Sequence, residues 1–298
     1  MIEVKNVTKT FGSFKALDNI SMNVPSNAVY GLVGPNGAGK STVIRNLTGI
    51  YRPDAGEILF DGRPVYENTA VKEECALIPD DWFYFYNSSI KEMMELYKAI
   101  YPSFNVERFN KIKEAFPIDD KRQIKTLSKG MLKQVAFRLA LSTMPRYLIL
   151  DEPVDGLDPV MRRQVWSLIM NDVSEYGTTV LVSSHNLREL EDVCDHVGIM
   201  DKGRLIIERN LAKLQDNMVK LQVVFDENVT ELPKDIPVLN ESKVGRVYTL
   251  IMRMNKDEAV KKITPYKPLL VDALPLTLEE IFVYELGGGD YAVKEIIL

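Results

Sequence analysis

The residues Gly34-Pro35-Asn36-Gly37-Ala38-Gly39-Lys40-Ser41 have the spacing G-x-x-x-x-G-K-[ST], the P-loop pattern. The apolar run Val29-Tyr30-Gly31-Leu32-Val33 comes just before and reads as a buried strand. Ser41 to Leu47 follows as a helix with Val43, Ile44 and Leu47 on one face, and Thr48-Gly49 stops it. The strand, loop and helix that the pattern requires are therefore in order. The chemistry is anion binding. Glycines let main-chain N–H groups turn inward around phosphate oxygens, and the helix start adds the positive end of its dipole. Lys40 brings a cation to the β- and γ-phosphates, and Ser41 offers a hydroxyl to Mg²⁺. These residues predict a nucleoside triphosphate site and leave open what its energy drives.

Downstream, Ser128 is a good N-cap for a helix carrying Met131, Leu132, Val135, Ala136, Leu139 and Ala140 at helical spacing. Pro145 ends it. Tyr147-Leu148-Ile149-Leu150 is wholly apolar, as expected of a parallel strand buried on both faces. It runs into Asp151-Glu152-Pro153. Carboxylates at the C-terminal end of such a strand stand where open α/β folds bind ligands. Asp151 suits Mg²⁺ through its water shell, and Glu152 suits orienting and deprotonating an attacking water. Asp155 to Pro159 turns into a helix from Val160 to Glu175. Thr178 to Ser184 is another buried strand, and His185 at its end is placed for a phosphate contact. The second histidine, His196, has no such setting and reads as structural.

Upstream, Ile2 to Val7 and Ala16 to Val24 read as an antiparallel hairpin joined by Thr8 to Ser13. Phe11 sits in that turn, either as a half-buried turn aromatic or as a flat face for a purine. Glu57 to Phe60 and Cys75 to Ile78 read as strands. Pro79-Asp80-Asp81 then leads into Trp82-Phe83-Tyr84-Phe85-Tyr86. That aromatic run either fills a gap between subdomains or forms a docking surface for another protein. Ser88 to Phe116 is helical by pattern, broken at Tyr101-Pro102.

The 298 residues are 46% hydrophobic and 27% charged, which is ordinary globular composition. A net charge of -5 gives no bulk support to nucleic-acid binding. The two cysteines, Cys75 and Cys194, form no C-x-x-C pair, which fits a reducing compartment. No apolar run reaches the about 18 residues of a membrane span, and no signal peptide is visible.

Taken in order, the P-loop, Leu127-Ser128-Lys129-Gly130-Met131, Leu148 to Pro153, Gly156-Leu157-Asp158 and His185 resemble the ATP-binding cassette (ABC) ATPases. The chain also resembles the subunits that drive bacterial ABC-2-type exporters. The resemblance covers about residues 1 to 215, with a helical subdomain over about 87 to 145. It implies an α/β fold: a RecA-like core with a parallel sheet, an antiparallel β-subdomain and a helical signature subdomain. Gly34, Pro35, Asn36, Gly37, Ala38, Gly39, Lys40, Ser41 and Thr42 match the Walker A loop. Ser128, Lys129 and Gly130 fall in the signature, with Lys129 and Met131 in place of the usual Gly and Gln. Asp151 ends Walker B, Glu152 matches the catalytic glutamate and His185 the switch histidine. Phe11 falls at the adenine-stacking aromatic. Asp80 occupies a position usually held by Gln, where an anion suits Mg²⁺ but repels the γ-phosphate.

The implied protein binds ATP and Mg²⁺. It pairs head-to-tail with a second cassette, as homodimer or heterodimer, and drives a separate transmembrane permease from the cytoplasmic face. No nucleic-acid partner is implied. A single P-loop argues against the ribosome-associated ABC proteins, which usually join two cassettes. The short separation of Lys40 and Ser128 leaves no room for the coiled coils of chromosome-type relatives. Intact Lys40, Glu152 and His185 argue against a non-catalytic regulatory cassette.

Residues 216 to 298 read as a small α+β extension. Strands are expected near Val219 to Phe225, Val247 to Met254 and Leu269 to Val271, with a helix over Asp257 to Ile263. Thr277 and Glu280 form a capping box before a last helix. Asn255-Lys256-Asp257-Glu258 is a poor match to a guanine-reading motif and stands far from any nucleotide strand, so a GTPase is rejected.

Overall fold

Runs of β-branched and aliphatic residues set the frame of the molecule. The computed structural model describes residues 1–80, 85, 87–211, 218–226, 236–274 and 276–285. Trp82, Phe83, Tyr84 and Tyr86 of the aromatic run lie outside the described residues, while Phe85 is exposed.

The chain forms two compact units, Met1–Asn186 with Val193–Glu208, and Leu187–Asp192 with Arg209–Leu298. In the first, β1 (Ile2–Phe11) and β2 (Phe14–Val24) pair antiparallel, and β4 (Ala55–Phe60) and β5 (Arg63–Pro64) extend the sheet in the order β2-β1-β4-β5. The hairpin is longer than its sequence suggested. Thr8, Lys9 and Thr10 are strand residues, and only Gly12 and Ser13 turn, with Phe11 opposite Phe14. Gly12 takes φ +60°, which a two-residue turn of this kind requires. The polar residues are held as strand because Asp54 accepts from the Thr10 N–H and hydroxyl, each at 2.6 Å, and from Lys9 at 2.9 Å.

The second sheet of this unit carries the site. Its order is β10-β9-β3-β8-β7-β6, from β3 (Val29–Val33), β6 (Cys75–Ile78), β7 (Tyr147–Asp151), β8 (Thr179–Ser184), β9 (His196–Asp201) and β10 (Arg204–Asn210). The β9–β3–β8–β7–β6 pairings are all parallel. Every residue of β3, β7 and β8 is buried, as expected of parallel strands whose central residues are all apolar. Parallel pairing brings the ends of these strands, and the residues after them, to one edge of the sheet. His196 opens β9 at the opposite end, so it stays outside the site.

Helices α1 (Lys40–Leu47) and α6 (Pro159–Tyr176) belong to this unit, with the short α2 (Thr69–Glu73). Asp158 caps α6 through the N–H groups of Val160 and Met161, both at 3.0 Å. A separate helical core forms from α3 (Ile90–Ile100), α4 (Val106–Ile112) and α5 (Lys129–Ser142), around Ile90, Met93, Phe109, Val135 and Leu139. The break at Tyr101-Pro102 falls between α3 and α4 as the proline predicts. Arg138 is wholly buried there, paired with Asp120 at 2.9 Å and lying 4.0 Å from the Phe109 ring centre.

The second unit is an antiparallel sheet in the order β12-β13-β11-β14, from β11 (Val219–Val224), β12 (Asn240–Val244), β13 (Val247–Met252) and β14 (Leu270–Leu274), with α7 (Lys256–Ile263) and α8 (Leu278–Glu285). Leu221, Val223, Leu250, Met252, Ala259 and Ile263 form its core. The capping box holds: the Thr277 N–H donates to Glu280 at 3.0 Å and the Glu280 N–H to Thr277 Oγ1 at 3.2 Å. Strand β12 had no sequence signal. All its residues are exposed on the sheet edge, so nothing selects an alternating pattern. No helix among the described residues is long and apolar enough to cross a membrane.

Candidate functional site

The phosphate loop leaves β3 at Val33. Gly34 must be glycine on steric grounds, since a Cβ there would lie 2.4 Å from the Met200 carbonyl oxygen. Gly37 and Gly39 take φ +83° and +106°, turning successive peptides in a way that residues with a Cβ resist. Gly39 is also the N-cap of α1, so no side chain bonds the first N–H groups, and no acid stands in the first turn. Those donors remain for an anion. Lys40 is 6% exposed. Its Nζ donates to the Gly34 carbonyl at 2.7 Å and pairs with Glu152 Oε1 at 3.2 Å.

The facing group comes from the end of β7. Asp151 is buried, and its Oδ1 accepts from the Ser183 hydroxyl at 2.6 Å. Glu152 follows with φ +48°, unusual for a residue with a side chain. Its N–H donates to Ser183 Oγ at 3.0 Å. Its carboxylate lies between two cationic or polar partners: Lys40 on Oε1 and His185 Nδ1 at 2.7 Å from Oε2.

A cavity of about 430 Å³ opens here, lined by Asn36 to Thr42 together with Phe14, Ala16, Asp80, Glu152, Asp155 and His185. The structure thus brings together Lys40, Ser41, Asp80, Glu152 and His185 from four separate points of the chain. Asp151 lies behind them, buried against Ser183. Phe11 does not line this cavity. It is 43% exposed and packs edge-to-face on Tyr51 with ring centres 5.3 Å apart, whereas Phe14 does line it. Ser128, Lys129 and Gly130 are also not lining residues. Ser128 caps α5 by accepting the Met131 N–H at 3.3 Å, and it and Lys129 face solvent.

Sequence reasoning missed Phe14, Asp155 and Ser183. Two serines closing the buried run Val180-Leu181-Val182 are the available signal for Ser183, because a wholly buried hydroxyl needs a partner. No cluster of three or more acidic, histidine or cysteine side chains capable of holding a metal occurs among the described residues. The Ser41 hydroxyl and the Asp80 and Asp151 carboxylates are hard oxygen donors of the type that Mg²⁺ takes alongside water and phosphate.

Residues 17–155 match the family model described as ABC transporter. The ABC transporter ATP-binding protein YtrB of Bacillus subtilis is 30% identical over 97% of this chain and 99% of its own length. The lantibiotic transport ATP-binding protein SrtF of Streptococcus pyogenes is 33% identical over 76% of this chain and 99% of that protein. The bacitracin transport ATP-binding protein BcrA of Bacillus licheniformis is 29% identical over 97% and 98%. Among solved structures, the ATP-binding subunit of an ABC transporter superposes with a TM-score of 0.67 at 24% identity, covering 72% of this chain and 92% of that one. A nucleotide-free cassette superposes with a TM-score of 0.62 at 25% identity, over 70% and 91%.

Proposed function

The chain belongs to the family of ABC transporter ATP-binding proteins, and from that premise we propose which residues run its ATPase cycle and what the cycle drives. It binds ATP and hydrolyses it to power transport by a separate transmembrane subunit. The transport is export, with this chain on the cytoplasmic face of the membrane through its permease partner. Two cassettes work head-to-tail, each presenting Ser128, Lys129 and Gly130 to the nucleotide held by the other. The exposure of those residues at a helix start, away from their own phosphate cavity, supports this arrangement.

One observation carries the assignment of roles: the Glu152 carboxylate lies against both Lys40 and His185 at the phosphate loop. The uncapped N–H groups at the start of α1 and the Lys40 ammonium receive the triphosphate. The Ser41 hydroxyl and the Asp151 and Asp80 carboxylates would hold Mg²⁺, which would supply positive charge to offset that of the phosphates. Glu152 then takes a proton from a water molecule whose oxygen bonds to the γ-phosphorus. The bond from that phosphorus to the β-γ bridging oxygen breaks, and ADP leaves with the electron pair. His185 donates to a γ-phosphate oxygen and fixes its position. Glu152 is the catalytic base, and Lys40 and His185 are its catalytic partners.

The test is turnover by the purified chain with ATP and Mg²⁺. Glu152→Gln retains nucleotide binding and loses about 10²–10⁴-fold in kcat, the usual contribution of a general base. Near-normal hydrolysis by a folded Glu152→Gln protein would remove the role.

A further inference from the structure

Helix α5 starts at the signature and carries a buried lysine just ahead of its apolar, buried stretch. Lys133 is 7% exposed, in a stretch continued by the buried Val135, Ala136 and Phe137. Burying an amine in such a place is costly unless it finds acceptors. Its Nζ donates to two main-chain carbonyls: Glu152 at 3.0 Å and Asp155 at 2.6 Å. The residue so held is the one with φ +48°. On the other side of the same residue, the Glu152 N–H donates to Ser183 Oγ, whose proton is committed to Asp151. Both peptide groups of Glu152 are therefore anchored by buried side chains from different elements, α5 and β8. Nothing in the dipeptide Glu152-Pro153 demands the left-handed conformation, and the two anchors supply the reason it persists.

We propose that Lys133 is a positioning residue for the catalytic base. With Ser183 it clamps the Glu152 backbone in the left-handed conformation that aims the carboxylate into the phosphate cavity. Lys133 lies in the helix that Ser128 caps, so the turn that carries the base is tied to the same chain's signature helix by two hydrogen bonds, one at Glu152 and one at Asp155. The inference rests on the reading of Glu152 as the base.

The experiment uses the full chain and MgATP. Lys133→Met keeps the side chain's length and removes both bonds. Displacing a catalytic group slightly costs up to about 100-fold. Expected is a fall in kcat of about 10- to 100-fold, with KM for ATP and nucleotide affinity within about twofold of wild type. Lys133→Arg, which retains donors, recovers part of the loss. In a Glu152→Gln background the base is already gone, so Lys133→Met lowers the residual rate no further. Three results would overturn the proposal: kcat unchanged in Lys133→Met, ATP affinity lost in step with kcat, or the same fractional loss in the Glu152→Gln background. If Lys133→Met does not fold, Ser183→Ala replaces it under the same criteria, with Ser183→Thr as the conservative rescue. Hydrolysis by the wild-type chain, abolished in Glu152→Gln, is measured alongside. If that fails, the assignment of the base is wrong; if it holds and the Lys133 results do not, only the clamp is wrong.

Discussion

Neutralising Glu152 should tighten ATP binding as well as stop hydrolysis. Lys40 Nζ and Glu152 Oε1 stand 3.2 Å apart with side chains only 6% and 13% exposed. His185 holds the other carboxylate oxygen at 2.7 Å. An incoming triphosphate must take Lys40 from this pair and bring negative charge up to the carboxylate. At an effective dielectric near 20, the gross attraction of the pair is about 5 kcal/mol. The net worth of a charge-assisted hydrogen bond is about 1.5–3 kcal/mol once water's competition is counted. A glutamine in its place still accepts from Lys40, so the lower end applies. At about 1.4 kcal/mol per decade, Glu152→Gln should bind ATP about tenfold more tightly than wild type. The assay is titration of a fluorescent ATP analogue without Mg²⁺, where hydrolysis does not distort the equilibrium. ADP, one phosphate shorter, gains less. Equal or weaker ATP affinity in a folded Glu152→Gln protein would show that the Lys40–Glu152 pair does not compete with the nucleotide.

Phe14→Ala should cost about 1–3 kcal/mol of ATP affinity, the range for a base stacked on an aromatic ring. Phe11→Ala should cost less, because only Phe14 lines the cavity and Phe11 already packs on Tyr51. Paired nucleotide titrations decide the order, and the reverse order would give the adenine platform to Phe11. Asp172 is buried beside Arg108, and burial lifts its carboxyl from 3.8 to about 6 against the pull of that guanidinium. A carboxyl raised in the folded state favours folding most below its unfolded value, and that stability is lost as pH rises through about 6. Urea melts should therefore show the protein losing about 3 kcal/mol from this group between about pH 3 and pH 7. Asp172→Asn should flatten that dependence, and an unchanged slope would assign it elsewhere.

The readable parts of the site were those whose chemistry forces a residue type at a fixed spacing. Lys40, Ser41, Glu152 and His185 could be placed because each follows an apolar run that can only be a buried parallel strand, or follows a glycine-built turn after one. Parallel pairing then carries them to one sheet edge. The hairpin was misjudged at Thr8 to Thr10, because polar residues look like a turn until Asp54, far along the chain, satisfies them. Strand β12 was invisible for a related reason, since an edge strand exposed on both faces selects no alternation. The roles of Phe14 and Lys133 depend on which side chains meet across elements, and spacing along one element does not encode that.

Lys133 shows why the α5 stripe could mislead. On periodicity alone, a lysine within Met131-Leu132-Lys133-Gln134-Val135-Ala136 belongs on the solvent side of an amphipathic helix. Yet the helix is buried almost all round after its first turn, from Val135 to Ser142. A cation facing inward there survives only where main-chain carbonyls are free to accept. The turn after β7 supplies them, because residues 152 to 155 leave the sheet without a strand partner. The glutamate that must be aimed and the carbonyls that must be satisfied belong to the same few residues. One buried amine therefore meets both needs.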